Sequence, residues 1–409
     1  MMVPKLRFTG FNEPWSETSL GKISSFITSG SRDWAQYYSD CGDKFIRMTN
    51  LVRDGITLNL SDLKFVRLPE NSNEGKRTAL QHHDILISIT AELGKLGWVP
   101  DGLGTAYINQ HTALVRPNLS IASSKFIANL LSTKKYNNIL NQQNDAGAKS
   151  GLNLSTIKNF GFYAPNKIEQ AKIADFLSSV DEKISLLNKL YDLLCQYKKG
   201  MMQKIFSQEV RFKDDSGDEF PEWKEVELKE IASKVNTKNR DNSVNAVLTN
   251  SATQGIVKQE SYFEREIVTE SNLTGYYVVK TGDFVYNPRI SSTAPVGPIK
   301  MNELTQGVMS PLYTVFRFEK GLLKFYQYFF ESSVWHDYMK SVANSGARHD
   351  RMNISGADFF GLPVPQPFEA EQTKIANFLS ALDDKIAVKK AELDKLKTWK
   401  QGLLQQMFV

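Results

Sequence analysis

The chain has 409 residues, 41% of them hydrophobic and 23% charged, with a formal net charge of +5. This is an ordinary globular composition with enough apolar residues for two cores, and its mildly basic balance permits a polyanionic partner without demanding one. The two cysteines, Cys41 and Cys195, lie far apart in sequence, which excludes a disulfide scaffold and a structural zinc site. The N-terminus lacks an apolar signal core, and no run approaches the roughly 18 apolar residues of a membrane span. A cytoplasmic protein without membrane contact is expected.

The first unit is read as residues 1–166. It opens on PWSETSLGKI, with Trp15, Leu20 and Ile23, and closes on LNLSTIKNFGFYAP, Leu152 to Pro165. Between these lie short β-like runs broken by Gly, Asn and Asp: Lys44 to Met48, Asp84 to Ser88 and Ala113 to Arg116. Ser124 to Leu131 reads as a helix. Residues 167–207 follow as a central helical spacer, and Val210 to Glu222, with its acidic run, reads as a polar linker.

The second unit is read as residues 208–367. It opens on EWKEVELKEI, with Trp223, Leu228 and Ile231 at an offset of 208 from the first opening. Asn245 to Thr249, Asp283 to Tyr286 and Tyr313 to Arg317 read as strands, and Leu322 to Lys340 as one helix. It closes on MNISGADFFGLPVP, in which Asn353, Ser355, Gly361 and Pro365 match Asn153, Ser155, Gly161 and Pro165 at an offset of 200. Three residues separate Pro165 from Glu169 but five separate Pro365 from Glu371, which predicts a different angle of attachment for the second helix. Residues 368–409 form a second helical spacer.

The two spacers repeat each other without a gap at an offset of 202 (371 − 169). Apolar residues follow a 4-3-4-3 rhythm from Ile173 to Ile205 and again from Ile375 to Met407, the period of a coiled-coil seam. Neither copy contains proline, and at about 1.5 Å per residue each reaches about 58 Å. Lys198, Lys389 and Lys400 interrupt the seam; their stems are expected to lie along it with the ammonium in water. A narrow apolar stripe needs a partner, supplied either by a homodimeric coiled coil or by the other copy in this chain. Duplication favours the second, with the helices antiparallel about a pseudo-twofold and one α/β globular unit at each end.

Two divergent domains, each with a Trp-Leu-Ile opening and each followed by an EQxKIAxFLSxxDxKI helix, resemble the specificity subunit of type I restriction-modification enzymes. The resemblance covers essentially the whole chain, with TGDFVYNPR (Thr281 to Arg289) and INQH (Ile108 to His111) as further typical stretches. It implies that each domain is a target recognition domain reading one half of a split sequence in double-stranded DNA. The antiparallel helices would fix the unread gap and dock two modification subunits, with restriction and motor subunits joining through them. S-adenosylmethionine, ATP and magnesium would then belong to partner subunits, and none to this chain. The competing reading is an adaptor that binds other proteins and dimerises through the helices.

No catalytic constellation in the sequence stands against that implication. No G-x-x-x-x-G-K-[ST] loop is present. Asn287-Pro288-Arg289 lacks the second proline of an amino-methyltransferase motif, and Asp214, Asp215, Asp218 and Glu222 read as a solvated charge run. His82, His83, His111, His336 and His349 have no metal-ligand spacing. Asp181-Glu182 and Asp383-Asp384 are expected to pair with surface lysines.

DNA-binding candidates fall in loops rich in Arg, Lys, Asn and Gln, the residues that hold phosphates and read base edges. In the first unit they are Arg32, Lys76, Arg77, Asn109, Gln110, His111 and Lys149, and in the second Lys238, Arg240, Arg289, Arg348 and Arg351. Lys149 and Arg348 stand just before their closing motifs. The expected coiled-coil and subunit-docking residues are Glu169, Gln170, Ile173, Phe176, Leu177 and Ile184, and their repeats Glu371, Gln372, Ile375, Phe378, Leu379 and Ile386. Glu169 and Glu371 also suit the helix N-termini, where unpaired amides and the dipole favour negative charge.

Overall fold

The computed structural model describes residues 3–70, 72–142, 151–262, 270–344 and 350–409. They form two compact units, Met1–Asn188 with Ala391–Val409, and Lys189–Lys390. The division falls inside the two long helices, Lys167–Phe206 and Glu369–Met407, so each unit owns half of each helix.

In unit one the main sheet has the order Ser24–Ser29, Thr112–Pro117, Ile85–Ser88, Leu96–Trp98, all antiparallel. A second sheet joins Tyr38–Ser39, Lys64–Val66, Asp43–Ile46 and Ala106–Ile108, the last pair parallel. Unit two repeats the main sheet as Ala232–Lys234, Thr314–Phe318, Phe284–Tyr286, Ile299–Met301. The central strands Ile85–Ser88 and Phe284–Tyr286 are buried on both faces, which explains their continuous apolar runs. Each is fixed at its start by a buried aspartate. Arg116 grips Asp84 with Nε and Nη2, both at 2.7 Å, and Arg317 grips Asp283 at 2.6 and 3.0 Å.

The opening and closing motifs of each unit are two strands of one ladder. Ser16–Ser19 pairs with Gly161–Ala164, and Lys224–Glu227 with Pro363–Gln366. This pairing corrects the register read from the sequence. Glu227 faces Pro363 where Ser19 faces Gly161, and the helix caps are Asn153 and Ser355, so from the helix cap through the ladder the structural offset is 202. The counterpart of Pro165 is therefore Pro367, and the expected difference in attachment disappears. The matched Asn, Ser, Gly and Pro letters at offset 200 do not occupy equivalent backbone positions.

Two further expectations need correction. Leu322 to Lys340 is two helices, Leu323–Glu331 and His336–Ser341. Ser332 ends the first, its backbone extended and its hydroxyl donating to Phe329 O at 2.6 Å, a local bond that competes with helix continuation. Val210 to Glu222 is a docked segment rather than a loose linker. Arg211 reaches Glu371, Phe212 meets the Phe378 ring at 5.5 Å, and Phe220 is buried. In unit one Arg7 and Phe8 make the same contacts with Glu169 and Phe176.

Every residue of the two seams is buried or half-buried. In unit one Ile173, Leu177 and Val180, from the start of the first helix, share a core with Leu403 and Met407, from the end of the second. In unit two Met202 and Ile205, from the end of the first helix, share a core with Ile375, Leu379 and Leu382, from the start of the second. Within each unit the two helical stretches therefore run antiparallel. Two of the three seam lysines do not reach water as expected. Lys400 pairs with Asp181 in unit one, and its repeat Lys198 pairs with Asp383 at 2.7 Å in unit two. Burial opposes the charge on Lys198, but Glu331 and Asp383 outweigh it and hold its pKa above the ordinary lysine value. No described helix is long and apolar enough to cross a membrane.

Candidate nucleic-acid interface

Strand register decides which loops meet. In unit one Ser29 pairs with Ala113 and Ser88 with Thr112, so two strands end and a third begins at the same end of the main sheet. Ser31 bridges Asn109 there, and Gly30 N donates to Thr112 O at 3.2 Å. A side chain at Gly30 would collide with the carbonyls of Ile108 and Asn109, so the two loops close on each other only through glycine. Arg77 joins them, its guanidinium bonded to Thr28 Oγ1 and to Ser29 O. Thr90 bridges Gly151 at the same end, and its hydroxyl lies 2.7 Å from His111 Nδ1. Lys149 lies outside the described residues, two positions before Gly151.

The fold thus gathers Arg32, Arg77, Asn109, Gln110 and His111 on one rim, with Lys76 beside Arg77 and held to Asn73 at 2.9 Å. Arg32 is exposed and has no acidic partner among the described residues. The 109–111 loop is internally braced. Asn109 Oδ1 accepts from His111 N at 3.2 Å, and Gln110 Nε2 lies 3.0 Å from His111 Nε2.

Unit two builds the equivalent rim. Lys234 pairs with Phe316 and Tyr286 with Thr314, so the loops after residues 234 and 286 emerge at the corresponding end. Lys238 bridges Tyr277, with Nζ 5.9 Å from the ring centre. Asn239, fully buried, bonds both backbone groups of Val244 and so closes a turn that leaves Arg240 exposed. Arg289 and Arg351 bridge through their backbones, the counterpart of Thr90 and Gly151. Arg289 is 66% exposed and 3.7 Å from Asp350, an exposed pair that holds it weakly. Arg351 Nε is buried without a hydrogen bond among the described residues; Asp350 at 3.9 Å is too distant to supply one. Arg348 lies outside the described residues. Asn287, the candidate methyltransferase asparagine, spends its amide on Asn250 O and its oxygen on Arg289 N, which shapes this loop.

The proposed docking residues divide differently from expectation. Glu169 and Glu371 are fully buried. Arg7 binds Glu169 at 2.7 and 2.8 Å, and Arg211 binds Glu371 at 3.2 and 2.8 Å, with Trp223 Nε1 adding 2.9 Å. Gln170 and Gln372 are also buried; each accepts from the amide before a helix (Ser123, Leu322) and donates to a proline carbonyl (Pro165, Pro367). Ile173, Leu177, Ile375 and Leu379 lie in the cores, leaving only Phe176, Ile184, Phe378 and Ile386 half-buried. The EQ motifs therefore lock helix to domain and offer no surface to another subunit. The signal for this role was the Arg-Phe pair repeated at Arg7-Phe8 and Arg211-Phe212. The helices instead expose Leu186, Leu190, Leu193 and Tyr197, and, at the repeats of the first and last of these, Val388 and Trp399.

Residues 12–196 and 221–398 both match the family described as the type I restriction modification DNA specificity domain. The chain is 27% identical over 307 residues to the putative type I restriction enzyme MjaX specificity subunit of Methanocaldococcus jannaschii, covering 71% of this chain and 68% of that one. It is 24% identical over 377 residues to the MjaVIII specificity subunit of the same organism, covering 87% and 83%. Its fold is similar to that of the S subunit of a type I restriction-modification system from M. genitalium, with a TM-score of 0.56 at 15% identity over 100% of this chain and 99% of that one. A chain from a structure concerning complex assembly and conformational transition of the type I system gives 0.53 at 15% identity, covering 96% and 97%. With both of its units matched, this chain belongs to the type I restriction-modification DNA specificity family.

Proposed function

We propose that each unit reads one half of a split target in double-stranded DNA and that the paired helices set the unread gap. The observation that carries this reading is the recurrence, at the same end of the same sheet in both units, of a rim of cations and amides. Lysines and arginines on phosphates would supply most of the affinity, with strong salt dependence. Base choice would rest on the few side chains able to reach an edge, Arg on guanine and Asn or Gln on adenine. Two weak readers joined by a fixed spacer bind together only when the gap fits, because the second then meets its half-site at high effective concentration.

The chain supplies recognition, and the methyl transfer and its cofactors belong to partners in the cytoplasm. Two modification subunits, bringing S-adenosylmethionine, dock on the doubled apolar positions Leu186 with Val388 and Tyr197 with Trp399; restriction subunits bring ATP and magnesium. Apolar side chains 50–61% exposed on a helix support a covered surface. The spacer is tested by adding one heptad to both helices, which preserves the seam period. The preferred gap should lengthen, by no more than about three base pairs at about 1.5 Å per residue; an unchanged gap would overturn the ruler.

A further inference from the structure

The repeat carries an internal control. In unit two Lys198 lies between two carboxylates, Asp383 at 2.7 Å and Glu331 at 3.1 Å. Glu331 is the last residue of the helix Leu323–Glu331, whose counterpart in unit one is Ser124–Ser132. Three shared contacts fix the equivalence. Ser123 N and Leu322 N donate to Gln170 and Gln372; Phe126 and Phe325 meet Trp15 and Trp223 edge-on; the hydroxyls of Thr133 and Ser332 donate to Leu130 O and Phe329 O. Ser132 therefore stands where Glu331 would be. Lys400, the repeat of Lys198, keeps Asp181 and, among the described residues, has no second carboxylate.

At that place unit one opens a cleft of about 810 Å³. Among the described residues its charged lining is Arg53, Lys134, Lys397 and Lys400 against Asp54 and Asp181, four cations to two anions. Ile184 and Leu404 add apolar wall. Among the described residues no carboxylate pairs with Arg53, Lys134 or Lys397; Lys397 has only Asn188 Oδ1 at 3.5 Å. Such a volume lies within the range of small-ligand sites. The surplus of positive charge is what an anion with several oxygens neutralises.

We propose that this cleft binds a small phosphate-bearing ligand of up to nucleotide size, with Lys400 at its floor and Arg53 and Lys134 at its rim. A duplex backbone reaches rim cations, but not an ammonium on a side chain only 12% exposed, so the occupant is a small molecule rather than DNA. None of the residues proposed to read DNA lines the cleft, and the proposal stands without that reading.

The test uses the full chain with pyrophosphate and with magnesium-free ATP at constant ionic strength, read by calorimetric titration and by thermal midpoint. The expected result is one saturable site for which the two probes compete. Ser132→Glu, which restores the carboxylate of unit two, should weaken binding at least tenfold while the chain stays folded. The exposed pair Arg53→Ala with Lys134→Ala should weaken it as well and carries the test if Ser132→Glu does not fold. No saturable binding, binding unchanged in both variants, or displacement of the probe by a duplex oligonucleotide would each overturn the proposal.

Discussion

Replacing Glu371 with alanine will destabilise unit two by about 3–5 kcal/mol, the loss expected when one partner of a buried ion pair is removed. The carboxylate is fully buried and receives Arg211 twice and Trp223 Nε1 once. Its removal strands an indole N–H in the core and a guanidinium whose side chain is only 24% exposed. Glu371→Gln keeps the shape and one acceptor while losing the charge, and should cost less, about 1–3 kcal/mol. Glu169→Ala should do the same to unit one, where Arg7 takes the place of Arg211. Urea denaturation of the full chain measures both. A loss below about 1 kcal/mol, together with weaker capture of a modification subunit, would show that these glutamates serve a partner after all.

Arg289→Ala should weaken binding of the full target by about 1–3 kcal/mol, the value of a bidentate contact to a base, and relax preference in one half-site only. Its high exposure and weak tie to Asp350 leave its guanidinium available to a ligand. Arg32→Ala is the matching test in unit one. Arg77→Ala should behave differently, because its guanidinium braces Thr28 and Ser29 and its loss disturbs the loop that carries Arg32. Competition between duplexes altered in one half at a time, at fixed salt, separates the outcomes. Equal weakening on every sequence would make Arg289 a phosphate contact.

The duplication, the two long helices and the antiparallel seam were legible in the sequence, because they depend on periodicity and on a repeat that needs no gap. What escaped depends on long-range contact. The EQ motifs look solvent-facing by composition, since acidic and amide side chains are almost never buried unless paired, and Arg7 lies 162 residues from Glu169. The closing motif was placed two residues out of register because identical letters at offset 200 outweighed a ladder whose hydrogen bonds obey 202. Aspartates opening the central strands and arginines near the ends of their neighbours are visible in both units, yet their pairing follows only from strand order. The candidate rim residues are legible by type, whereas the division between bracing and free side chains is set by tertiary neighbours.

Adenine methylation mapped genome-wide in cells carrying this chain with a modification subunit decides whether two separate readers share one chain. A single motif of two short specified halves around an unspecified gap of fixed length is expected, with Arg289→Ala relaxing one half and Arg32→Ala the other. An uninterrupted motif, or variants that blur both halves together, would contradict it.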